Sequence, residues 1–332
     1  MENNVMKDTK KQFSKIGLVL FLGTLLIFGV QILSYAIAAN VPAVASNGNL
    51  SFLVGMMPMY IIAYPIIFLM FKKVPVQISG EKKKMRPLHF VAAFFMCYTA
   101  TYLCNFLGNI VTAIIGAIKQ SPVDNVMLNI TSNIHPAVNF LVIVICAPIM
   151  EELLFRKSVI DRTAKYGEGV SIVFSGLLFG LFHGNLIQFG YAFLLGVFFG
   201  FIYIKTKNIV YTILLHMIIN FFGSFIGSVV LEVSNYTEIL NATTSGATEA
   251  ELMAVMMDNM GGLAILFLYF IFLIGGIIAG TIIFFVNKKK FRLTAGEITI
   301  EKGQRFKTII LNLGVILYSI FWIVQIILQL AA

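Results

Sequence analysis

Nine times along this chain an apolar run long enough to cross a lipid bilayer is bounded by polar residues. A hydrocarbon core about 30 Å thick needs about 20 apolar residues in helical form. The runs cover residues 15–39, 51–71, 88–118, 137–155, 169–184, 187–204, 208–231, 261–286 and 308–331. The third is long enough to tilt or bend, and the fifth is short. Lipid offers no partner to a backbone N–H or C=O, so runs of this length are read as helices. With 59% hydrophobic and 12% charged residues and a mean hydropathy of +0.91, the chain lies far from soluble domains. The fold class expected is an all-α, polytopic transmembrane helix bundle of about eight or nine spans.

The net charge of +9 does not point to nucleic acid, because its placement follows the spans. Lys7, Lys10, Lys11 and Lys15 precede the first run, and Lys72, Lys73, Lys82, Lys83, Lys84 and Arg86 follow the second. Further basic groups follow the fourth, sixth and eighth. The alternate loops, 40–50, 119–136 and 232–260, hold Lys119 as their only base and carry Asp124, Glu232, Glu238, Glu249, Glu251 and Asp258. This alternation predicts a multi-pass protein of the cell membrane with a cytoplasmic N-terminus. The first run is too long for a signal-peptide core and lacks a small-residue cleavage site, so it is read as a retained span. Cys97, Cys104 and Cys146 all fall in apolar runs without metal-ligand spacing and are read as packing residues.

Four regions are expected: spans one to three over 1–136, a catalytic core of spans four to seven over 137–231, an extracytoplasmic loop over 232–260, and spans eight and nine over 261–332. GxxxG spacing at Gly176, Gly180 and Gly184, at Gly196 and Gly200, at Gly223 and Gly227, and at Gly276 and Gly280 predicts close helix packing in spans five to eight. Thr248 and Glu251 stand at capping-box spacing before Met253, Met256, Met257 and Met260, which share one helical face. An interfacial helix is expected there. Residues 291–306 alternate enough to suggest a short hairpin.

Against this background the ionisable groups inside the runs stand out, since such groups are costly in lipid and mark function by default. Glu151, Glu152 and Arg156 close the fourth run. Glu152 and Arg156 are four residues apart, with the acid N-terminal, the better orientation for a helical ion pair. Glu151 points about 100° away and keeps a carboxylate without that partner. A lone carboxylate in low dielectric is a stronger base than one in water. Pro148 removes a backbone hydrogen bond just before it, which predicts a local opening of the helix and a wet cavity. His216 and Asn220 are also four apart and offer an imidazole and an amide donor side by side. His183 ends the fifth run and can orient or shuttle protons. Counted from the predicted ends at helical rise, Glu151 lies about 9 Å deep, His216 about 12 Å, Asn220 about 18 Å and His183 about 20 Å. His183 is the worst placed of the four.

A carboxylate, two histidines and an amide fit water activation and acyl-group hydrolysis. No HExxH, intramembrane aspartate pair or GxSxG serine turn is present. The set Glu151-Glu152-xxx-Arg156, Phe179-xxx-His183 and His216-xxx-Asn220 resembles the CAAX protease and bacteriocin-processing family (CPBP, or Abi), which includes the Rce1-type prenyl proteases and the lysostaphin-resistance-like proteins. The resemblance covers roughly residues 137–225. It implies a glutamate-dependent intramembrane endopeptidase in which Glu151 activates water, His183 assists, His216 and Asn220 support the oxyanion, and Glu152, Arg156 and Phe179 are supporting residues. No cofactor is expected, although a zinc form with Glu151, His183 and His216 as ligands stays open. The implied substrate is a membrane-associated peptide or protein, of a prenylated CAAX type or a bacteriocin or pheromone. A non-catalytic immunity or scaffold protein is the alternative, and a proton-relay transporter a more distant one.

Overall fold

The computed structural model describes residues 2–76 and 81–331, and within them every regular element is a helix, without strands. Eight helices are long and apolar enough to cross a membrane: α1 (Asn4–Asn40), α2 (Gly48–Phe71), α3 (Pro87–Lys119), α4 (Pro136–Arg162), α6 (Leu186–Thr206), α7 (Ile209–Val233), α10 (Met260–Lys290) and α11 (Leu313–Ala331). The short fifth run forms α5 (Glu168–Phe182), of 15 residues. Two small helices, α8 (Tyr236–Thr244) and α9 (Glu249–Asp258), lie between α7 and α10. The protein is an all-α polytopic helix bundle, with the polar start of the chain helical from Glu2 rather than from residue 15.

Two large cores hold the bundle, beside a smaller cluster of Ile160, Ile172, Tyr203 and Ile204. One joins α1, α2, α4, α5 and α11 through buried Phe13, Ile67, Phe155, Phe179 and Tyr318, and the other joins α3, α6 and α7 through Cys97, Tyr98, Phe199 and Leu215. Polar ties sit at the ends. The Arg162 guanidinium closes α4 onto the end of α2, donating to the carbonyls of Val74 at 2.8 Å and Phe71 at 2.7 Å. The Tyr318 hydroxyl donates to Leu178 O at 2.8 Å and fixes α11 to α5.

The small-residue spacings divide. A Cβ on Gly196 would stand 2.7 Å from the Cα of Gly176, so α5 and α6 touch backbone to backbone. Gly280 does the same for α10 against the Phe95 backbone of α3, and Gly276 packs against the Tyr98 ring. Gly223 faces open space and Gly227 meets only ordinary contacts, so the expectation of tight packing fails at that pair. A Cβ at position 280 would lie 2.0 Å from Phe95 O and 2.2 Å from Thr99 Oγ1. Gly280→Val is therefore expected to cost about 1–3 kcal/mol by overpacking. Gly275→Val, with nothing within 4 Å of its Cβ position, is the control. Equal unfolding midpoints for the two variants would reject this seam.

The capping box at Thr248 is formed, and its hydrogen bonds hold the Glu251 carboxyl below the usual carboxylate range. Met253, Met256, Met257 and Met260 are all exposed. The hairpin expected over 291–306 does not form. Its backbone pairs instead with the turn before α5, where Thr294 O accepts from Glu168 N at 3.2 Å and Ile298 N donates to Lys165 O at 3.0 Å. The close approach of Gly296 to Gly167 and the burial of Ile300 in the first core favour that arrangement over self-pairing.

Candidate functional site

Glu151 and Glu152 occupy the α-helical stretch Ala147–Glu152 of α4, flanked on both sides by wider π-helical turns, Phe140–Cys146 and Leu153–Val159. Such turns recur at functional sites because they turn side chains and free carbonyls. Pro148 supplies the reason here. Ala147 N–H bonds back to Val142 O in the wide register, and the next donor in that register would be residue 148, a proline without an N–H. Ile143 O accepts instead from Asn220 Nδ2 of α7, at 3.0 Å. The local opening expected at Pro148 is present, and a side chain from another helix satisfies the freed carbonyl.

The two glutamates have different surroundings. Glu152 is fully buried and accepts from Arg156 Nη2 at 3.0 Å and from His216 Nδ1 at 3.1 Å, both through Oε1. Its Oε2, with Nε and Nη1 of Arg156, has no hydrogen-bond partner among the described residues. The Arg156 guanidinium lies over the rings of Phe179, at 4.6 Å, and Phe199, at 5.7 Å, so aromatic faces replace part of its hydration. Glu151 keeps 14% side-chain exposure against 0% for Glu152, and its Oε2 stands 3.7 Å from His216 Nε2. That gap is too long for a hydrogen bond. The carboxylate beside the brace is thus the accessible one.

His183 sits just past the end of α5, where Gly184 adopts a positive φ of 64° and turns the chain into α6. Helical side chains lean back toward the N-terminus. The His183 ring accordingly reaches one turn down, and Nδ1 donates to Phe179 O at 2.9 Å. With Nδ1 committed as a donor to a carbonyl, Nε2 of the neutral ring is an acceptor. Phe179 meets the rings of His183 at 4.9 Å and His216 at 5.8 Å, both edge to face. The depth mismatch expected from helix rise is reduced by this backward lean, and Phe179 stands as the spacer between the two imidazoles.

Sequence reasoning misses several further polar groups: Thr212 and Ser224 extend the four-residue spacing of His216 and Asn220 along α7. Opposite them on α4 stand Glu152, the Ile143 carbonyl and buried Asn139, whose Oδ1 accepts from Ser224 Oγ at 3.3 Å. The spacing is visible in the chain, but hydroxyls in a helix commonly bond their own backbone and so do not stand out. Tyr191 of α6 packs beside His183 at 6.4 Å between ring centroids, and its hydroxyl accepts from Gln188 Nε2 at 2.7 Å. Asn185 in turn donates to Gln188 Oε1.

Two observations describe the surroundings. Among the described residues no three His, Cys, Asp or Glu side chains are grouped to hold a metal ion, so the trio Glu151, His183 and His216 does not form a ligand cluster. A cavity of about 360 Å³ on α4 is lined by Leu153, Lys157, Ser158, Asp161 and Arg162, with Phe68 of α2 on the far wall. It begins two residues beyond Glu151, toward the Arg162 end of α4.

Residues 133–222 match the family model described as type II CAAX prenyl endopeptidase Rce1-like. No curated protein and no solved structure matches the chain. The matched residues include Glu151, Glu152, Arg156, Phe179, His183, His216 and Asn220, among which Glu152 bonds Arg156 and His216, and His216 lies 3.7 Å from Glu151. Through this segment the chain is similar to the Rce1-like family.

Proposed function

We propose that the protein is a glutamate-dependent intramembrane endopeptidase that hydrolyses a peptide bond in a membrane-associated substrate, with Glu151 as the general base. The observation that carries this reading is the contrast between the glutamates: Glu152 is neutralised by Arg156 and His216, whereas Glu151 is partly open and lacks a hydrogen-bonded partner. Glu151 takes a proton from water as the water oxygen attacks the substrate carbonyl carbon. The C–N bond then breaks, and the proton passes to the leaving amine. His183 assists through Nε2, the nitrogen left free by its bond to Phe179 O.

The proposed oxyanion donors are Asn220 and His216, the latter with hydrogen on both ring nitrogens so that Nε2 donates while Nδ1 stays on Glu152. Asn220 has one N–H engaged with Ile143 O, which fixes the amide and leaves its second N–H as the donor. Glu152, Arg156 and Phe179 hold His216 in place. The substrate proposed is a lipid-modified CAAX-type peptide, in keeping with the family description, or alternatively a bacteriocin- or pheromone-like peptide.

The test is cleavage of a farnesylated CAAX peptide by the purified protein in proteoliposomes, read by mass spectrometry of the released fragment. Because the proposed steps use only the chain's own groups, a strong chelator is expected to change the rate by less than about twofold. Loss of activity restored by zinc would move the reading to the metal form. Failure to cut any lipidated or unmodified peptide, with biological activity intact in Glu151→Gln, would favour the immunity or scaffold alternative.

The basic loops further support a cytoplasmic N-terminus. In a cysteine-free background, Lys83→Cys is expected to stay protected from an impermeant maleimide in intact cells, and Asn241→Cys to be labelled. The reverse pattern would invert the topology.

A further inference from the structure

We infer that the groove between α1 and α11, at the end of the bundle where the chain starts, is a binding site for an anionic phospholipid of the adjacent leaflet. The groove, of about 580 Å³, has Lys10, Lys11 and Lys15 on one wall and Leu18, Leu313 and Ile316 further in. Along α1 the lining passes from ammonium groups to an apolar side chain between residues 10 and 18, over about 12 Å at helical rise. A phospholipid has the same polarity profile, phosphate first and acyl chain after it.

The groove is held open by the fold. The π-helical stretch Phe306–Ile310 ends at Leu311, where the chain bends before α11 starts. Buried Asn312 fixes the bend, donating through Nδ2 to Ile309 O at 2.8 Å and accepting Val315 N through Oδ1 at 3.1 Å. Below the bend the two helices meet without space between them: a Cβ on Gly314 would fall 1.9 Å from Ser14 O, and Ser14 Oγ accepts from Gly314 N at 3.2 Å. The walls are therefore in position before any ligand arrives.

Charge selects the occupant. None of the residues lining the groove is acidic. Lys10, Lys11 and Lys15 make no ion pair with any described residue, and the nearby Asp8 lies close enough to Tyr166 to act on its hydroxyl. Three unpaired ammonium groups at an interface attract an anionic headgroup, each adding roughly 1 kcal/mol, and the apolar floor beneath them distinguishes a lipid from a free anion.

The test is native mass spectrometry of the purified full-length protein titrated with phosphatidylglycerol, phosphatidylcholine or inorganic phosphate. Wild type is expected to retain phosphatidylglycerol over phosphatidylcholine, and Lys10→Gln/Lys11→Gln/Lys15→Gln to bind it roughly 100-fold more weakly. Lys82→Gln/Lys83→Gln/Lys84→Gln, which removes the same charge elsewhere, is expected to bind as wild type. Ile316→Trp, which fills the apolar floor and keeps every charge, is expected to weaken lipid retention as well, so the proposal does not depend on the triple variant folding. Equal retention of both lipids, undiminished binding in the groove variants, or competition by millimolar phosphate equal to that by the lipid would overturn it.

Discussion

Glu151→Gln is expected to lower kcat for peptide cleavage by about 10³-fold while leaving KM and the unfolding midpoint close to wild type. General-base catalysis contributes about 10²–10⁴-fold, and glutamine keeps the shape while losing the ability to take a proton. The side chain makes no hydrogen bond to any described residue, and its ion-pair contact with His216 is 3.7 Å long, so little stability depends on its charge. Glu152→Gln gives the comparison. It removes the carboxylate that accepts from both Arg156 and His216, and is expected to lower stability and activity together. Single-turnover cleavage by each variant, with unfolding followed in parallel, separates the roles. Cleavage by Glu151→Gln at the wild-type rate would remove Glu151 as the base, and the glutamate-dependent mechanism with it.

Arg156→Ala is expected to destabilise the bundle by about 3–5 kcal/mol, because it leaves the Glu152 carboxylate buried without its cationic partner. The guanidinium also occupies the space over Phe179 and Phe199, so the substitution opens a void beside the His216 ring. Arg156→Lys retains the charge but not the planar stack, and is expected to recover only part of the loss. The double variant Glu152→Ala/Arg156→Ala is expected to be more stable than the sum of its singles predicts, since the penalty for an unpaired charge disappears with the pair. Unfolding free energies from denaturant titration in mixed micelles would show this coupling. Strict additivity would mean that the ion pair does not brace the site.

The division of labour between the two glutamates is partly legible in the chain. The four-residue separation of Glu152 and Arg156 fixes their contact on a helix, and Glu151 follows as the odd one out. The partner of each remaining group is not legible there. The sequence marks His216 as an oxyanion donor, yet its Nδ1 is committed to Glu152, on a helix 64 residues away in sequence. Asn220 is assigned to the same oxyanion, yet one of its N–H groups fills the carbonyl left open by Pro148. Phe179 enters only through the motif resemblance. Its place between Arg156, His183 and His216 gives the aromatic ring a physical purpose, as a face for the cation and an edge for each imidazole.

The sequence by itself determined the spans, the all-helical class and the residues that interrupt the apolar runs, because bilayer thickness and backbone hydrogen bonding act locally on each run. It also determined the internal ion pair of α4, a matter of helical pitch. Tertiary structure decided which carbonyl Asn220 meets, which glutamate His216 supports, and how His183 is drawn back over Phe179. It likewise decided that residues 291–306 pair with the turn before α5 rather than with themselves. These outcomes depend on contacts between segments distant in the chain. Hydrophobic periodicity reports burial along one helix and carries no record of which neighbour lies across the interface.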